Sequence, residues 1–225
     1  MKASATVTAR DLASVSRSLY VEGGLLMRKL QHWRPFICPF ERLLPFVFDN
    51  AVVLDIGCGG GLFLGLLVGS GCNIARGVGF DVSAPAIGAA QRMASLVNRR
   101  MGRDVLHFHR LDLAAAWPRG PFDVVCLIDV MHHVPPAAQQ ALLQQASAQV
   151  APGGTLIYKD MCRRPLWRAS MNRLHDLVLA RQWIHYLPIE DAEQWVVESG
   201  LRVVHGETAN RLWYGHELRV FRRPL

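Results

Sequence analysis

An apolar run ends in Asp55, glycines follow at 57, 59, 60 and 61, and a second apolar stretch then begins. The pattern predicts a buried strand, a tight turn and the first turn of a helix. Glycines in such a turn leave backbone N–H groups available and put no side chain in the way of a ligand. The turn can therefore cradle a nucleotide-like group. Asp81 ends the next apolar run, about 20 residues on, where a carboxylate can accept hydrogen bonds from ribose hydroxyls. The dinucleotide fingerprint G-x-G-x-x-G fails, because its third glycine, counted from Gly57, falls on Leu62. A buried carboxylate at Asp55 suits the cationic amine of a ligand. Together these features favour a cofactor that carries an amino acid over one that carries a pyrophosphate. Cys58 lies in the turn, where a small residue that fits is a plainer reading than a catalytic thiol. Asp112, Asp129 to His133, and Lys159-Asp160 also fall at strand ends. A histidine there can remove the proton of a phenol or alcohol. His133 can equally serve to hydrogen-bond backbone and order its loop, and Asp112 can bind ligand or cap a turn.

The elements that must position these residues alternate. Strands are expected at 51–56, 74–80, 105–109, 122–128 and 155–158, and helices at 60–69, 84–101 and 135–150. Ser83 can cap the second of these helices, and Pro135-Pro136 suits the start of the third. The 122–128 run is apolar throughout, as a strand buried on both faces must be. Pro152-Gly153-Gly154 reads as a turn. Repeated strand–helix units imply a parallel sheet covered on both faces, with right-handed crossovers. In such a sheet, ligands bind beyond the carboxyl ends of the strands. Residues 161–188 break the rhythm with an amphipathic helical insertion. A helix at 190–199 and strands at 201–204 and 218–221 close the chain. Before the sheet, residues 10–48 form a cap: a helix interrupted at Gly23-Gly24, then short helical turns punctuated by Pro35, Pro39 and Pro45. The run PFICPF at 35–40 suits either core or a hydrophobic surface segment resting on a membrane. The whole of 1–225 reads as one domain.

Composition sets the remaining bounds. At 225 residues the chain can bury a sizeable core. No run of 18 apolar residues occurs, so no membrane span is expected. The first 20 residues lack the apolar core of a secretory signal, and a cytoplasmic protein is expected. The five cysteines form no C-x-x-C pair, which points to reduced thiols and not to a zinc site. The net charge is +7, but the basic residues are scattered in short clusters, so nucleic acid is not the expected partner.

LDIGCGGG at 54–61, GFDVS at 79–83, LDL at 111–113, FDVVCLIDVMHHVP at 122–135 and PGGTLI at 152–157 together resemble the ordered motifs of class I S-adenosylmethionine-dependent methyltransferases. The resemblance covers roughly residues 50–160. It implies a Rossmann-like, mostly parallel seven-stranded sheet with helices on both faces and an antiparallel last strand. It further implies S-adenosyl-L-methionine as cofactor. Gly57, Cys58, Gly59 and neighbouring backbone would hold its methionine part, Asp55 its amino group and Asp81 its ribose. Asp112 and Leu113 would sit at the adenine, Val82 on its face, and Asp129 near the methyl donor. His132 and His133 would face the donor as candidate bases. The D-x-x-H-H spacing of Asp129, His132 and His133 is similar to the E-x-x-E-H group with which ubiquinone-pathway O-methyltransferases bind a divalent ion. Both glutamate positions differ here, and no metal is expected.

The acceptor side is read from the flanks. The 161–188 insertion would form a lid, with Trp167, His175 and His185 touching the acceptor. Tyr20 and the 33–48 segment would close the other side. The aromatic and aliphatic content of both flanks favours an apolar or aromatic small molecule, such as a lipid, quinone-like or polyketide-derived compound. O-methylation is the leading expectation, with peripheral membrane contact in keeping with such an acceptor. The alternatives are a nucleic-acid methyltransferase and a noncatalytic cofactor-binding subunit. The first lacks its expected N/D-P-P-aromatic motif, since DVMHHVPP stands at that place. A nicotinamide oxidoreductase is disfavoured by Leu62.

Overall fold

A computed structural model describes residues 7–162, 185–212 and 214–225. Its centre is a seven-stranded sheet in the order β3-β2-β1-β4-β5-β7-β6. The strands are β1 (Val52–Ile56), β2 (Arg76–Asp81), β3 (Leu106–Arg110), β4 (Phe122–Ile128), β5 (Val150–Met161), β6 (Arg202–Arg211) and β7 (Tyr214–Arg222). Strands β1 to β5 pair in parallel, and β7 runs antiparallel to both β5 and β6. The expected Rossmann-like sheet with an antiparallel last strand is thus the sheet observed.

Helices α3 (Leu62–Gly69), α4 (Ala84–Met101), α5 (Pro136–Ala148) and α6 (Ile189–Glu198) cover it. Alternation along the strands divides the core in two. Val53, Val124 and Cys126 join α3 and α4 on one side, while Leu54, Val125 and Leu127 join α5 and α6 on the other. Local chemistry sets the helix limits. Ser83 accepts the Ala86 N–H at 3.4 Å at the start of α4, and Gly102 ends it in a left-handed conformation. The first βα helix begins two residues later than expected, because Gly61 is left-handed with φ 77° and cannot open a helix.

Three elements are longer or differently placed than the pattern predicts. Strand β5 starts at Val150, not 155. The Pro-Gly-Gly stretch is a register shift inside it, where the Gly153 N–H donates to Arg223 O at 3.0 Å. Strands β6 and β7 are a long hairpin, since β6 is an edge strand rich in polar residues and held by its backbone ladder. The PFICPF run is mainly core: Cys38, Pro39 and Phe40 are buried, and so are Leu43 and Val47 after it. Phe36 and Ile37 of the run are half-buried.

The cap consists of α1 (Ala9–Leu19), α2 (Leu25–Ile37) and two short 3-10 turns, Phe40–Arg42 and Leu44–Phe46. A reciprocal capping box of Thr8 and Asp11 opens α1. Leu12, Ala13, Ser16 and Leu19 bury its inner face. Helix α2 continues through the buried Pro35, where the expectation was a break. Among the described residues no helix is long and apolar enough to cross a membrane.

Candidate active site

The carboxyl ends of β1 to β5 lie at one edge of the sheet, as parallel pairing requires. A cavity of about 920 Å³ opens there, within the range of small-molecule sites. Its floor is the turn between β1 and α3. Gly57 has φ 66°, and a Cβ there would stand 2.7 Å from Val130 Cγ2. Gly59 has φ 53°, and its Cβ direction is open space. The turn is thus tight behind and vacant toward the cavity, which is what a ligand held by backbone needs.

Two carboxylates organise this turn. Asp81 accepts the N–H of Gly59 at 2.9 Å and the N–H of Ser83 at 2.8 Å. It therefore ties the glycine turn to the start of α4, with lone pairs left for a ligand. Asp55 is buried in the cavity wall, 2% exposed. Burial first, and then the nearby Asp81, push its carboxyl up to about 8, against the opposing pull of Arg34. A buried acid with a second carboxylate beside it calls for a cation. The amine of an amino-acid cofactor meets that demand. Cys58 is also in the wall, and burial, then Asp55 and Asp81, push its thiol well up. It stays neutral and is no nucleophile. Val82, exposed, and Leu111 and Leu113, half-buried, supply an apolar slot. Asp112 both lines the slot and accepts the Ala114 N–H at 2.9 Å, so it caps its turn as well.

Asp129, also in the wall, ends β4 with φ 57°, left-handed backbone that a non-glycine residue adopts at a cost. Its carboxylate binds the fully buried ammonium of Lys159 on β5, and Arg34 Nη2 of α2 at 3.2 Å. Burial alone would raise the carboxyl, but Lys159 and Arg34 outweigh it and hold Asp129 well below the usual range. Burial likewise works against the Lys159 charge, and Asp129 more than offsets it. A fixed charge cluster therefore stands at the end of β4.

The two adjacent histidines part company on the 3-10 turn Met131–His133. His133 is exposed and lines the cavity. His132 is buried: its Nδ1 bonds the Asp160 carboxylate, and its N–H donates to Asp160 Oδ2 at 3.1 Å. His132, expected as a candidate base, thus lies beneath the loop and out of the cavity wall. Asp129 turns to Lys159 and His132 to Asp160, so the D-x-x-H-H residues do not converge. Among the described residues no three His, Cys, Asp or Glu side chains gather to hold a metal.

The expected acceptor contacts need revision too. Tyr20 is buried, and its hydroxyl donates to Gly60 O at 2.7 Å. It braces the glycine turn from outside the cavity wall. His185 lies beside the 131–133 loop: its N–H donates to His132 O at 2.8 Å, and its carbonyl accepts from Gln139 Nε2 at 3.1 Å. It is not in the cavity wall either. Trp167 and His175 lie outside the described residues. Residues with no assigned role in the sequence also line the cavity. Met27, Leu30, Gln31 and Arg34 come from α2, and Ala138, Ala141, Leu142 and Gln145 from α5. Their common wall is visible only in three dimensions.

A family model described as a methyltransferase domain matches residues 30–206. The ubiquinone biosynthesis O-methyltransferase of Albidiferax ferrireducens is 30% identical over 158 residues, 69% of this chain and 54% of that protein. Its namesake from Neisseria meningitidis serogroup A is 28% identical over 151 residues, 66% of this chain and 59% of that protein. The chain spans about half the length of the curated relatives it matches. Among solved structures, magnesium protoporphyrin IX methyltransferase from Synechocystis, with bound S-adenosylhomocysteine, superposes with a TM-score of 0.66 at 18% identity, covering 93% of each chain. A putative methyltransferase of Haloferax volcanii, in complex with the Trm112 activator, gives 0.69 at 17% identity, over 93% of this chain and 98% of that one. These two likenesses are of fold. The family match runs from α2 through the glycine turn and the charge cluster into β6, and with it the chain belongs to the S-adenosylmethionine-dependent methyltransferases of the methyltransferase-domain family.

Proposed function

We propose that this protein methylates an oxygen of an apolar or aromatic small molecule of quinone-like character. The observation that carries the reading is the composition of the cavity wall. One end is built of Asp55, the glycine turn and Asp81, and the wall continues into Met27, Leu30, Phe40, Val134 and Leu142, with Arg34 and His133 as polar points. A single cavity thus offers a polar berth for the cofactor and an apolar berth for an acceptor. The names of the curated relatives, ubiquinone biosynthesis O-methyltransferases, support the same acceptor class.

S-adenosylmethionine, when bound, supplies a methyl group already activated on a sulfonium. The chain's own residues then have to bind, align and exclude water. Asp55 would hold the ammonium, Asp81 the ribose, and Val82, Asp112 and Leu113 the adenine. Gly57, Cys58 and Gly59 would form the backbone cradle. Asp129, pinned by Lys159 and Arg34, would fix the end of β4 beside the reacting centre. His133 would take the acceptor's hydroxyl proton at an imidazole nitrogen. The whole chain would act as one catalytic unit. An acceptor of this class partitions into lipid, so peripheral contact with a membrane belongs to the same reading.

The test is transfer of labelled methyl from S-adenosylmethionine into a cell extract, with Asp81→Ala as control. Label in an organic-soluble small molecule, lost in the variant, is the expected result. Label confined to RNA or protein would refute the acceptor class.

A further inference from the structure

Among the described residues, α2 carries more exposed large apolar side chains than any other element, ahead of the mainly buried 35–40 run. Helix α2 is inverted. Its inner side carries Gln31 and Pro35, both buried, and Arg28, whose Nε donates to Tyr20 O at 3.2 Å. Its outer side carries Leu26, Leu30 and Trp33, at i, i+4 and i+7, exposed by 73, 45 and 64%. Leu25 adds another 73%, and Val21, just before the helix, 47%. A helix on a protein surface ordinarily turns the opposite face to water. Single exposed apolar residues are commonplace, but five on one helix and its leading turn form a patch.

Basic residues outnumber acidic ones around the patch. Helix α2 contains Arg28, Lys29 and Arg34 and no acidic residue. Glu22 is the single acid between residues 21 and 37. Arg92 of α4 reaches the same turn, its Nη2 3.0 Å from the place a Cβ on Gly23 would take. Leucines and a tryptophan beside the exposed Lys29 and Arg92 match a lipid surface with anionic headgroups, while Arg28 and Arg34 bond Tyr20 O and Asp129. The aliphatic groups enter the acyl boundary, the indole sits at headgroup depth and the cations meet phosphate. Water-facing helices of a soluble partner would not need the cations, and a nucleic acid would not need the leucines.

We propose that α2 docks this protein on anionic lipid membranes. The patch adjoins the active site, because Met27, Leu30 and Arg34 of the same helix stand in the cavity wall. Docking would bring that wall to the lipid boundary, where an apolar acceptor is dissolved. The docking rests on the exposed face alone, and the delivery of acceptor rests on the function proposed above.

The experiment is flotation of the full chain with vesicles of phosphatidylcholine alone, or mixed with phosphatidylglycerol, without cofactor or acceptor. Binding to the anionic vesicles at least about tenfold stronger than to neutral ones, and weakened by salt, is expected. Leu26→Ser with Trp33→Ser should weaken it by a further factor of about ten. Thermal stability and calorimetric affinity for S-adenosylmethionine should stay unchanged, since both side chains are exposed and outside the cavity wall. Equal binding to both vesicle types, or undiminished binding by the double variant, would overturn the proposal. Self-association abolished by the double variant, with no vesicle binding, would assign the face to a second copy and overturn it too. Vesicle binding by a protein that methylates nothing apolar would leave docking standing and refute the acceptor reading alone.

Discussion

Cofactor binding should expel a proton from Asp55, and the amount can be worked out. In the empty protein, burial and then the neighbouring Asp81 push this carboxyl up to about 8. At pH 7 about nine molecules in ten therefore carry the proton. An ammonium brought beside it reverses the preference, because an opposite charge favours the carboxylate. Binding at pH 7 should then release about 0.9 proton, and the deprotonation costs about 1.4 kcal/mol of the gross affinity. Affinity should rise about tenfold per pH unit from roughly pH 6 to 7 and level off near 8. Titration calorimetry in buffers of different ionisation enthalpy counts the protons directly. Asp55→Asn removes the titrating group at nearly constant shape, so its proton release should fall to zero and its pH slope vanish. No release by the wild type at pH 7, or the same slope in the variant, would refute the assignment of Asp55 to the cofactor's amine. The sign for the empty protein follows from the same shift. A raised folded-state pKa stabilises the fold below about 4 and loses that contribution as pH rises toward 8. The empty wild type should therefore gain less stability than Asp55→Asn across that window.

Other consequences are equally concrete. Tyr20→Phe removes the bond to Gly60 O and should weaken cofactor affinity about fivefold, or about 1 kcal/mol, with acceptor KM unchanged; calorimetry and steady-state kinetics check both. His132→Ala removes the imidazole from the buried Asp160, leaving it the backbone N–H groups of residues 132 and 161, and should cost about 3 kcal/mol of stability in denaturant unfolding. His133→Ala should leave stability and cofactor affinity intact and lower kcat by about a hundredfold. Asp129 is held ionised below the usual range, so its stabilisation is present above about pH 4 and lost in acid. Asp129→Asn should accordingly narrow the stability gap to the wild type as the pH falls through that range.

The glycine turn and strand ends that line the cavity are legible in the sequence, and the walls from α2 and α5 are not. Strand β4 coincides with its expected 122–128 limits because a strand buried on both faces is apolar without interruption. The turn after β1 announces itself because positive φ selects glycine. No comparable signal separates His132 from His133. Their rings lie against each other with centroids 4.0 Å apart, and the side chain that reaches Asp160 is the buried one. Arg34 and Gln31 escaped notice for a different reason. Helix α2 buries Gln31 and exposes Leu26, Leu30 and Trp33, so its apolar periodicity marks a helix without marking its buried face. Tyr20 looked like an acceptor contact because aromatic residues line such cavities, yet its hydroxyl is committed to Gly60 O. The polar edge strand β6 lacks the alternation that would have revealed its length.

The most direct test of the central claim is the position of the transferred methyl. The purified chain would be incubated with carbon-13-methyl S-adenosylmethionine and the organic-soluble acceptor fraction, and the product examined by nuclear magnetic resonance. A single new methyl on an aromatic or quinol oxygen, absent with Asp81→Ala, is the predicted result. Label on carbon or nitrogen, or transfer that persists in the variant, would contradict it.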